Sequence, residues 1–277
     1  MILDGKKTSE MLMKRLSKEV KAIPDVITLT LILVGNDPAS LVYVNNKRKA
    51  CEEVGINVDF HHLDEKATQK EVLKIIDEAN KNEKINGILV QLPLPSHLDE
   101  NIIINAIDPK KDVDGLTLAN QGKLFMGLDC IQPATPKGIM TLLQYHFIEI
   151  SGKNVVVVGR SKLVGKPMAM MMLQKNATVT IAHSKTVNLK EVTKRADILV
   201  VAVGKPNFIT ADMVKKDATV IDVGINKVEG KLVGDVNFNE VKDLASYITP
   251  VPKGVGPMTI YSLLENIVYA YKLQHKN

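Results

Sequence analysis

Aromatic residues are scarce in this chain of 277 residues. There is no tryptophan, and phenylalanine, tyrosine and tryptophan together make up 4% of the sequence. Proteins that bind nucleic-acid bases by stacking need exposed aromatic rings beside a basic patch. The formal net charge of +5 is mild and is not gathered into such a patch. The composition therefore excludes a nucleic-acid-binding surface and leaves room for an anionic small-molecule ligand.

Long apolar runs and cysteine motifs are also lacking. No segment approaches the roughly 20 apolar residues of a membrane-spanning helix, so we expect no membrane partner. The N-terminal segment has neither a long apolar core nor a cleavage site of small residues, which predicts a cytoplasmic protein. The two cysteines, Cys51 and Cys130, show no C-x-x-C or zinc-site spacing. We expect both to be free, buried thiols, and we expect no metal site.

Apolar, β-branched segments alternate with helical patterns in the first half of the chain. This order predicts parallel strands that are covered by helices. The predicted elements are strands at 26–35, 58–63 and 87–92, helices at 38–54, 68–81 and 135–147, and a loop at 108–127.

A second α/β half follows from residue 154 onward. Its predicted strands are 155–158, 178–182, 197–203 and 219–223, and a last helix covers 257–274. The fold class is therefore α/β, with two α/β domains flanking a cleft. Ligands of such sheets bind beyond the carboxyl ends of the strands, where the strand order reverses.

The helix predicted at 38–54 carries three polar side chains on one face. Asp37 and Pro38 are typical of a helix start. Ser40, Tyr43 and Lys47 follow at i, i+3 and i+7, so they project in one direction. They form either the wall of an active site or an ordinary amphipathic face on which Tyr43 is half-buried and Lys47 is solvated.

Two further polar features follow in the first half. Gln91 lies at the carboxyl end of a predicted parallel strand, where it makes a strand-end hydrogen bond or orients a neighbouring group. The motif Asp112-Val-Asp114-Gly115 is a turn, a metal loop or a ligand clamp. A calcium-binding EF-hand loop is excluded, because its fifth and twelfth positions would be Leu116 and Lys123.

A glycine-containing turn follows the first strand of the second half. Gly159 and Gly165 flank it, and a helix opens directly afterwards. A helix N-terminus after such a turn is suited to an anion, although a plain strand-to-helix turn has the same pattern. The usual dinucleotide motif G-x-G-x-x-G is not met, because Ser161 replaces the middle glycine and the last glycine comes one residue late.

Acidic residues are absent between Gly159 and Glu191. An NAD-binding enzyme is expected to place a carboxylate there to bind the ribose diol. Instead the next strand runs into His183-Ser184-Lys185, and Arg160 lies in the first turn. These residues are ordinary surface residues or a pocket for a ribose 2′-phosphate, and the missing carboxylate favours NADP over NAD.

Eight ordered motifs together resemble one family. They are LVGNDPASLVYVNNKRKACEEVGI, GILVQLPLP, DVDG, VVVVGRSKLVGKPM, HSKT, DVGIN, GDV and TPVPKGVGPMT. This series resembles the bifunctional methylenetetrahydrofolate dehydrogenase/cyclohydrolase family, the FolD proteins. The resemblance implies a folate-binding catalytic domain at 1–120 with 255–277, and a Rossmann-like NADP-binding domain at 140–250. It implies that helices near 135–148 and 257–274 join them, and that the protein is a homodimer.

The resemblance also implies the chemistry. NADP⁺ would oxidise 5,10-methylenetetrahydrofolate to the methenyl cation, and water would convert that cation to 10-formyltetrahydrofolate, a reaction pair of one-carbon metabolism that serves purine biosynthesis. Lys47 would lie at the reacting carbon, with Gln91 against its amine and Tyr43 against the folate rings. A protonated Lys47 would oppose the cation, so we expect it to be at least partly neutral and to act as a general base on water.

Binding residues follow from the same resemblance. Asp114 would accept hydrogen bonds from the pterin edge, and Ser40 and Pro257 would also contact the folate substrate. In the cofactor domain, Arg160, Ser161 and Ser184 would bind the ribose-phosphate region of NADP. Gly159 and Gly165 would line the turn, and Ile225 would lie near the nicotinamide.

Two positions depart from the family's usual sequence. Ala134 stands in QPATP where the family commonly has cysteine, and we expect it to be harmless packing. Lys253 stands in PVPKGVGP where the family commonly has glycine. If that glycine needed a positive φ, Lys253 would be strained; we expect that it does not. Two other functions stay open: a dehydrogenase without hydrolysis, which Lys47 and Gln91 argue against, and a non-catalytic nucleotide-binding module, for which a missing Lys47 or Asp114 would be expected.

Overall fold

The computed structural model describes residues 1–275, which divide into two units. The five-stranded unit contains Met1–Glu10 and Thr135–Thr259, and the three-stranded unit contains Met11–Ala134 and the chain from Ile260 onward. The predicted limits were 1–120 with 255–277 for one domain and 140–250 for the other. The observed division differs at the N-terminus, where Met1–Glu10 belong to the five-stranded unit because Leu3 N donates to Ile248 O at 2.8 Å. The domain limits stay a prediction, and their last two residues lie outside the described part.

Ten α-helices lie within residues 1–275. They are α1 Gly5–Ala22, α2 Pro38–Val54, α3 Gln69–Lys81, α4 Glu100–Asn105, α5 Leu118–Phe125, α6 Ala134–Tyr145, α7 Gly165–Gln174, α8 Leu189–Thr193, α9 Phe238–Val241 and α10 Val255–Gln274, with a 3₁₀ turn at Ala211–Met213.

Ten strands accompany them in the same described range. They are β1 Thr28–Val34, β2 Asn57–Leu63, β3 Gly87–Val90, β4 Asn154–Val158, β5 Thr178–Ala182, β6 Ile198–Val201, β7 Thr219–Asp222, β8 Asn226–Val228, β9 Lys231–Val233 and β10 Tyr247–Ile248.

The three-stranded unit has a parallel sheet in the order β2-β1-β3. Every residue of β1 is buried, as its apolar, β-branched sequence predicts. Helix α3 packs Val72 and Ile76 against Ile32 and Ile88 of the sheet. The core therefore fixes β1 and β3, whose carboxyl ends lie at the same edge.

Helix α2 begins and ends where the sequence predicts. The Asp37 carboxylate accepts a hydrogen bond from Ser40 N at 2.7 Å, and Pro38 occupies the first turn. Gly55 ends the helix in the left-handed conformation, and its N–H bonds back to Cys51 O and Glu52 O.

The five-stranded unit has parallel pairings in the order β10-β7-β6-β4-β5. The chain runs from β4 through α7 to β5 on one side, and then returns to β6 on the other side of β4. The strand order thus reverses between β4 and β6, the position at which doubly wound sheets bind ligands.

Part of the secondary-structure prediction was wrong. The loop predicted at 108–127 contains helix α5, whose start is capped by the Thr117 side chain accepting from Asn120 N. Helices α1 and α4 and the hairpin of β8 and β9 were not predicted at all. The predicted helix at 135–147 ends at Tyr145, and the predicted strand at 197–203 covers only Ile198–Val201.

Both cysteines are free, as predicted, but only Cys51 is fully buried. Burial raises the pKa of the Cys51 thiol to about 12, so it stays protonated at neutral pH. Cys130 is partly exposed, which contradicts the prediction of two buried thiols. Within residues 1–275, no helix is long and apolar enough to cross a membrane.

Lys253 has a φ of 82°. This backbone conformation suits glycine and is strained for a residue with a Cβ atom. The expectation that position 253 needs no positive φ was therefore wrong.

Candidate active site

The clearest polar contact of the three-stranded unit joins Lys47 and Gln91. Lys47 lies on α2, and its Nζ donates to Gln91 Oε1 at 3.0 Å. Gln91 follows β3. Its main-chain N–H donates to Ile32 O, and its side-chain Nε2 donates to Leu92 O at 2.6 Å. Gln91 is 8% exposed, and both the oxygen and the nitrogen of its side-chain amide are hydrogen-bonded. Both alternatives for Gln91 correspond to a hydrogen bond in the structure: Nε2 bonds to Leu92 O at the strand end, and Oε1 accepts from the neighbouring Lys47.

Asp114 supplies a carboxylate close enough to interact electrostatically with Lys47. Burial raises the pKa of the Asp114 carboxyl, the charge of Lys47 lowers it, and Asp112 raises it further, with burial the largest effect. The residue still reaches solvent in part. Its carboxylate makes no hydrogen bond within the described residues, so both oxygens can accept from a ligand.

The loop that carries Asp114 is held by buried partners. The Asp112 carboxylate accepts from Leu116 N, Thr117 N and the Asn120 amide at 2.8 to 3.1 Å, which makes it a turn residue. From α10, Asn266 Nδ2 donates to Val113 O at 2.9 Å and to Gln132 O at 2.8 Å. Asn266 was not predicted from the sequence, because a single asparagine in an apolar helix carries no local signal for such a role.

The other predicted folate-site residues differ in exposure. Ser40 is buried at the start of α2, whereas Tyr43 is 41% exposed one turn later. Partial burial raises the pKa of the Tyr43 phenol, so the ring has an apolar side and a protonated hydroxyl. Pro257 lies in the first turn of α10 and belongs to the five-stranded unit.

In the five-stranded unit, Gly159 and Gly165 form a close backbone contact. A Cβ atom on Gly165 would lie 2.3 Å from Gly159 O, and one on Gly159 would lie 2.3 Å from Ala202 O. Gly159 also has a φ of 129°. These two positions require glycine, which leaves a side-chain-free surface at the carboxyl end of β4 where a ligand can approach the backbone.

Ser161 caps the helix that follows this turn. Its Oγ accepts from Val164 N at 3.2 Å and from Gly165 N at 3.3 Å. A phosphate at the start of α7 would therefore share these N–H groups with Ser161. The neighbouring Arg160 is exposed and has its guanidinium available to an anion.

Ser184 and Ile225 follow other strands of the same sheet. Ser184 lies in the exposed turn after β5, where Thr186 Oγ1 accepts from His183 N at 2.8 Å. Ile225 follows β7 and is 47% exposed. Both residues thus lie beyond the carboxyl ends of parallel strands, on the side where ligands of such sheets bind.

Comparison with known families identifies both halves of the chain. Residues 3–114 match the catalytic domain of tetrahydrofolate dehydrogenase/cyclohydrolase, and residues 133–275 match its NAD(P)-binding domain. The chain belongs to the tetrahydrofolate dehydrogenase/cyclohydrolase family.

Relatives of this family match over the full length. The bifunctional protein FolD of Acholeplasma laidlawii is 52% identical over 276 residues, with 100% of both chains covered. The crystal structure of the FolD enzyme of Campylobacter jejuni is 47% identical, covers 99% of each chain and superposes with a TM-score of 0.96. A FolD of Trypanosoma brucei, solved with NADP and an inhibitor, is 35% identical with a TM-score of 0.96, and the match covers 100% of this chain and 99% of that one.

Membership of the tetrahydrofolate dehydrogenase/cyclohydrolase family confirms several predictions from the sequence. They are the family resemblance, the α/β fold class with a C-terminal dinucleotide-binding sheet, the paired dehydrogenase and cyclohydrolase activities of one-carbon metabolism, and NADP as cofactor. The roles assigned to individual residues stay predictions.

Proposed function

We propose that this FolD-family enzyme uses Lys47, Gln91 and Tyr43 to convert 5,10-methylenetetrahydrofolate through the methenyl cation to 10-formyltetrahydrofolate. The observation that carries the proposal is the 3.0 Å hydrogen bond between Lys47 Nζ and Gln91 Oε1 in electrostatic range of Asp114. An amine, an amide that orients it and a carboxylate acceptor are the groups that this chemistry needs.

The first step is hydride transfer to NADP⁺. The methylene carbon loses a hydride, and the positive charge is shared between that carbon and the two flanking nitrogens. No proton moves in this step, so its rate depends on alignment of the donor carbon and the nicotinamide. The half-exposed ring of Tyr43 supports a role in packing against the folate rings.

The second step is attack of water on the methenyl cation. As the general base, Lys47 takes a proton from the attacking water as the C–O bond forms. One C–N bond then breaks to leave the formyl group, with net release of one proton. Gln91 acts by orienting the amine, since its Oε1 accepts from Lys47 Nζ.

Substrate binding is assigned to Asp114 with Ser40 and Pro257. A pterin presents adjacent N–H donors along one edge, and a carboxylate can accept two of them in parallel. The unpaired oxygens of Asp114 support this role within the described residues.

Cofactor binding is assigned to the edge of the five-stranded sheet. The surface at Gly159 and Gly165 admits the dinucleotide backbone, because a Cβ at either position would collide with main-chain atoms. Arg160, Ser161 and Ser184 surround the ribose 2′-phosphate, and Ile225 lies near the nicotinamide. The relative from Trypanosoma brucei that was solved with NADP supports this choice of cofactor.

The cellular location, oligomeric state and partners of the enzyme are also part of the proposed function. Family resemblance supports a cytoplasmic homodimer that acts on a small folate substrate, without nucleic-acid or membrane partners, and that supplies formyl groups for purine biosynthesis. The mild charge and low aromatic content agree with this restriction of partners.

The test is a spectrophotometric assay with 5,10-methylenetetrahydrofolate and either NADP⁺ or NAD⁺. We expect reduced cofactor to form with NADP⁺ while the methenyl species, followed by its absorbance at neutral pH without acid quenching, does not accumulate. Accumulation of the methenyl species would contradict the assigned hydrolysis step. A preference for NAD⁺ would contradict the roles of Arg160 and Ser184.

A further inference from the structure

Asp235 is a fully buried carboxylate that the proposed chemistry does not use. It is 0% exposed. Its Oδ2 accepts from Val203 N at 2.7 Å and Gly204 N at 2.9 Å, and its Oδ1 accepts from Lys205 N at 2.9 Å. A fourth donor, Asn226 Nδ2, lies 2.9 Å from Oδ1. Three consecutive main-chain N–H groups are thus bound by one side chain about 30 residues further along the chain.

The segment 203–205 lies beside the proposed cofactor-binding turn. It is separated from β6 by one residue, Ala202, whose O is the atom that a Cβ on Gly159 would meet at 2.3 Å. The reversal of strand order between β4 and β6 lies at this place. The backbone of 203–205 therefore forms the side of the dinucleotide crevice opposite Gly159.

A second buried carboxylate holds Asp235 in turn. Asp222 is 3% exposed, and it accepts from Asp235 N, Val236 N and Gly224 N at 2.9 to 3.0 Å. Through these bonds the ends of β6 and β7 and the segment after β9 are connected by side-chain carboxylates. Such a network needs every acceptor, because each N–H that it binds is shielded from water.

We infer that Asp235 is a positioning residue for the cofactor: it fixes the backbone of Val203–Lys205 in its ligand-ready conformation before NADP binds. It touches neither substrate nor cofactor and acts through three main-chain N–H groups. The inference rests on the proposed placement of NADP at Gly159. Its consequence is selective, because hydrolysis of the methenyl cation consumes water and no dinucleotide.

The test is the full-length Asp235→Asn variant, which keeps the shape of the side chain and removes one acceptor oxygen. In Asp235 each carboxylate oxygen accepts from two donors, and the single oxygen of an asparagine amide cannot accept from all four. We expect the NADPH dissociation constant and the KM for NADP⁺ to rise at least about tenfold, kcat at saturating NADP⁺ to stay within about threefold, and hydrolysis of added methenyltetrahydrofolate to stay within about twofold. Asp243→Asn makes the same chemical change at an exposed carboxylate of the same unit, and it should leave all of these quantities unchanged.

Two outcomes would overturn the inference. One is an Asp235→Asn protein that binds NADPH as tightly as the unaltered protein. The other is a loss of hydrolysis that parallels the loss of NADPH binding, which would indicate a general structural role. Failure of the unaltered protein to use NADP⁺ would instead contradict the proposed function, so the two failures can be told apart.

A second pair of variants serves if Asp235→Asn does not fold. Lys205→Pro removes one of the three N–H donors, and Lys205→Ala removes the same side chain but keeps the donor. The residue before Pro206 is already biased towards extended conformations that proline can adopt. We expect Lys205→Pro to bind NADPH at least about threefold more weakly than Lys205→Ala, with equal hydrolysis. Equal NADPH affinity in the two variants would overturn the inference.

Discussion

The proposed binding sites of the two units of this enzyme consist of different kinds of group, side chains in one and mainly main chain in the other. In the three-stranded unit the proposed functional groups are side chains: an amine on α2, an amide after β3 and a carboxylate in a loop. In the five-stranded unit the proposed site is largely main chain, made of glycines and of a backbone segment whose N–H groups bond to a buried carboxylate, with Arg160, Ser161 and Ser184 at its exposed end. A side-chain site is destroyed by the loss of a single functional group. A main-chain site tolerates the loss of exposed side chains, is blocked by an added Cβ atom and is weakened by a missing buried acceptor.

The largest expected effect is on the hydrolysis step. Lys47→Met removes the proposed general base, so we expect hydrolysis of methenyltetrahydrofolate to fall by about 10² to 10⁴. The dehydrogenase step should fall less, and NADPH binding should not change. The measurement is the rate of each step assayed separately.

Lys49→Met is the matched control for this prediction, because Lys49 is an exposed lysine on the same helix. It should retain both activities. Full hydrolysis by Lys47→Met would remove the general-base role and with it the contrast between the two units.

The second effect concerns the pterin. Asp114→Asn leaves one acceptor oxygen where the substrate presents two donors, so we expect the KM for methylenetetrahydrofolate to rise by about 10 to 100-fold. NADPH binding, measured by fluorescence titration, should stay the same. An unchanged KM would show that Asp114 is a turn residue only.

The pH dependence of the KM for methylenetetrahydrofolate is a second test of Asp114. Burial raises the pKa of Asp114, so the carboxylate begins to be protonated at a higher pH than an ordinary aspartate. We therefore expect the KM of the unaltered enzyme to rise as the pH is lowered towards that raised pKa. Asp114→Asn should show no such rise.

A smaller effect is expected at the exposed end of the cofactor site. Arg160→Ala removes the charge-assisted contact proposed with the 2′-phosphate, so the preference for NADP⁺ over NAD⁺ should fall by about tenfold. Folate KM and methenyl hydrolysis should remain as they are. An unaltered preference would assign the recognition of the phosphate to other residues, such as Ser184.

The smallest effect concerns stability. Lys253 has a φ of 82°, and a Cβ atom in this conformation costs about 1 to 2 kcal/mol. Lys253→Gly removes that strain and loses part of the gain to the higher entropy of glycine in the unfolded chain. We expect a net gain of about 0.5 kcal/mol in the free energy of unfolding, measured by urea denaturation. Lys253→Ala keeps the Cβ atom and should give no gain.

Sequence patterns predicted the features that depend on neighbouring residues. Helix α2 was predicted within its exact bounds because Asp37, Pro38 and Gly55 are local start and stop signals. Helix α5 was missed because the Asp, Pro and Gly residues around it are typical of loops, although Thr117 is a good capping residue. Local composition outweighed a single cap.

Features that depend on distant partners were not predictable. Asp235 lies in a motif that indicated the family, yet nothing near it in the sequence shows that its carboxylate binds Val203 N, 32 residues away. Lys111 is a similar case: its buried Nζ donates to Ala79 O, Asn80 O and Asn82 O, at the end of α3. A lysine in a stretch rich in charge gives no sign of such burial.

The bond from Asn266 to Val113 O spans 153 residues. A ribosome releases the loop of Asp114 long before it makes the helix that holds this loop. During synthesis the nascent chain therefore already contains Lys47, Gln91 and Asp114 but still lacks α10, which carries Asn266. The loop of Asp114 can therefore take its hydrogen-bonded form only after α10 has been made and has packed against it.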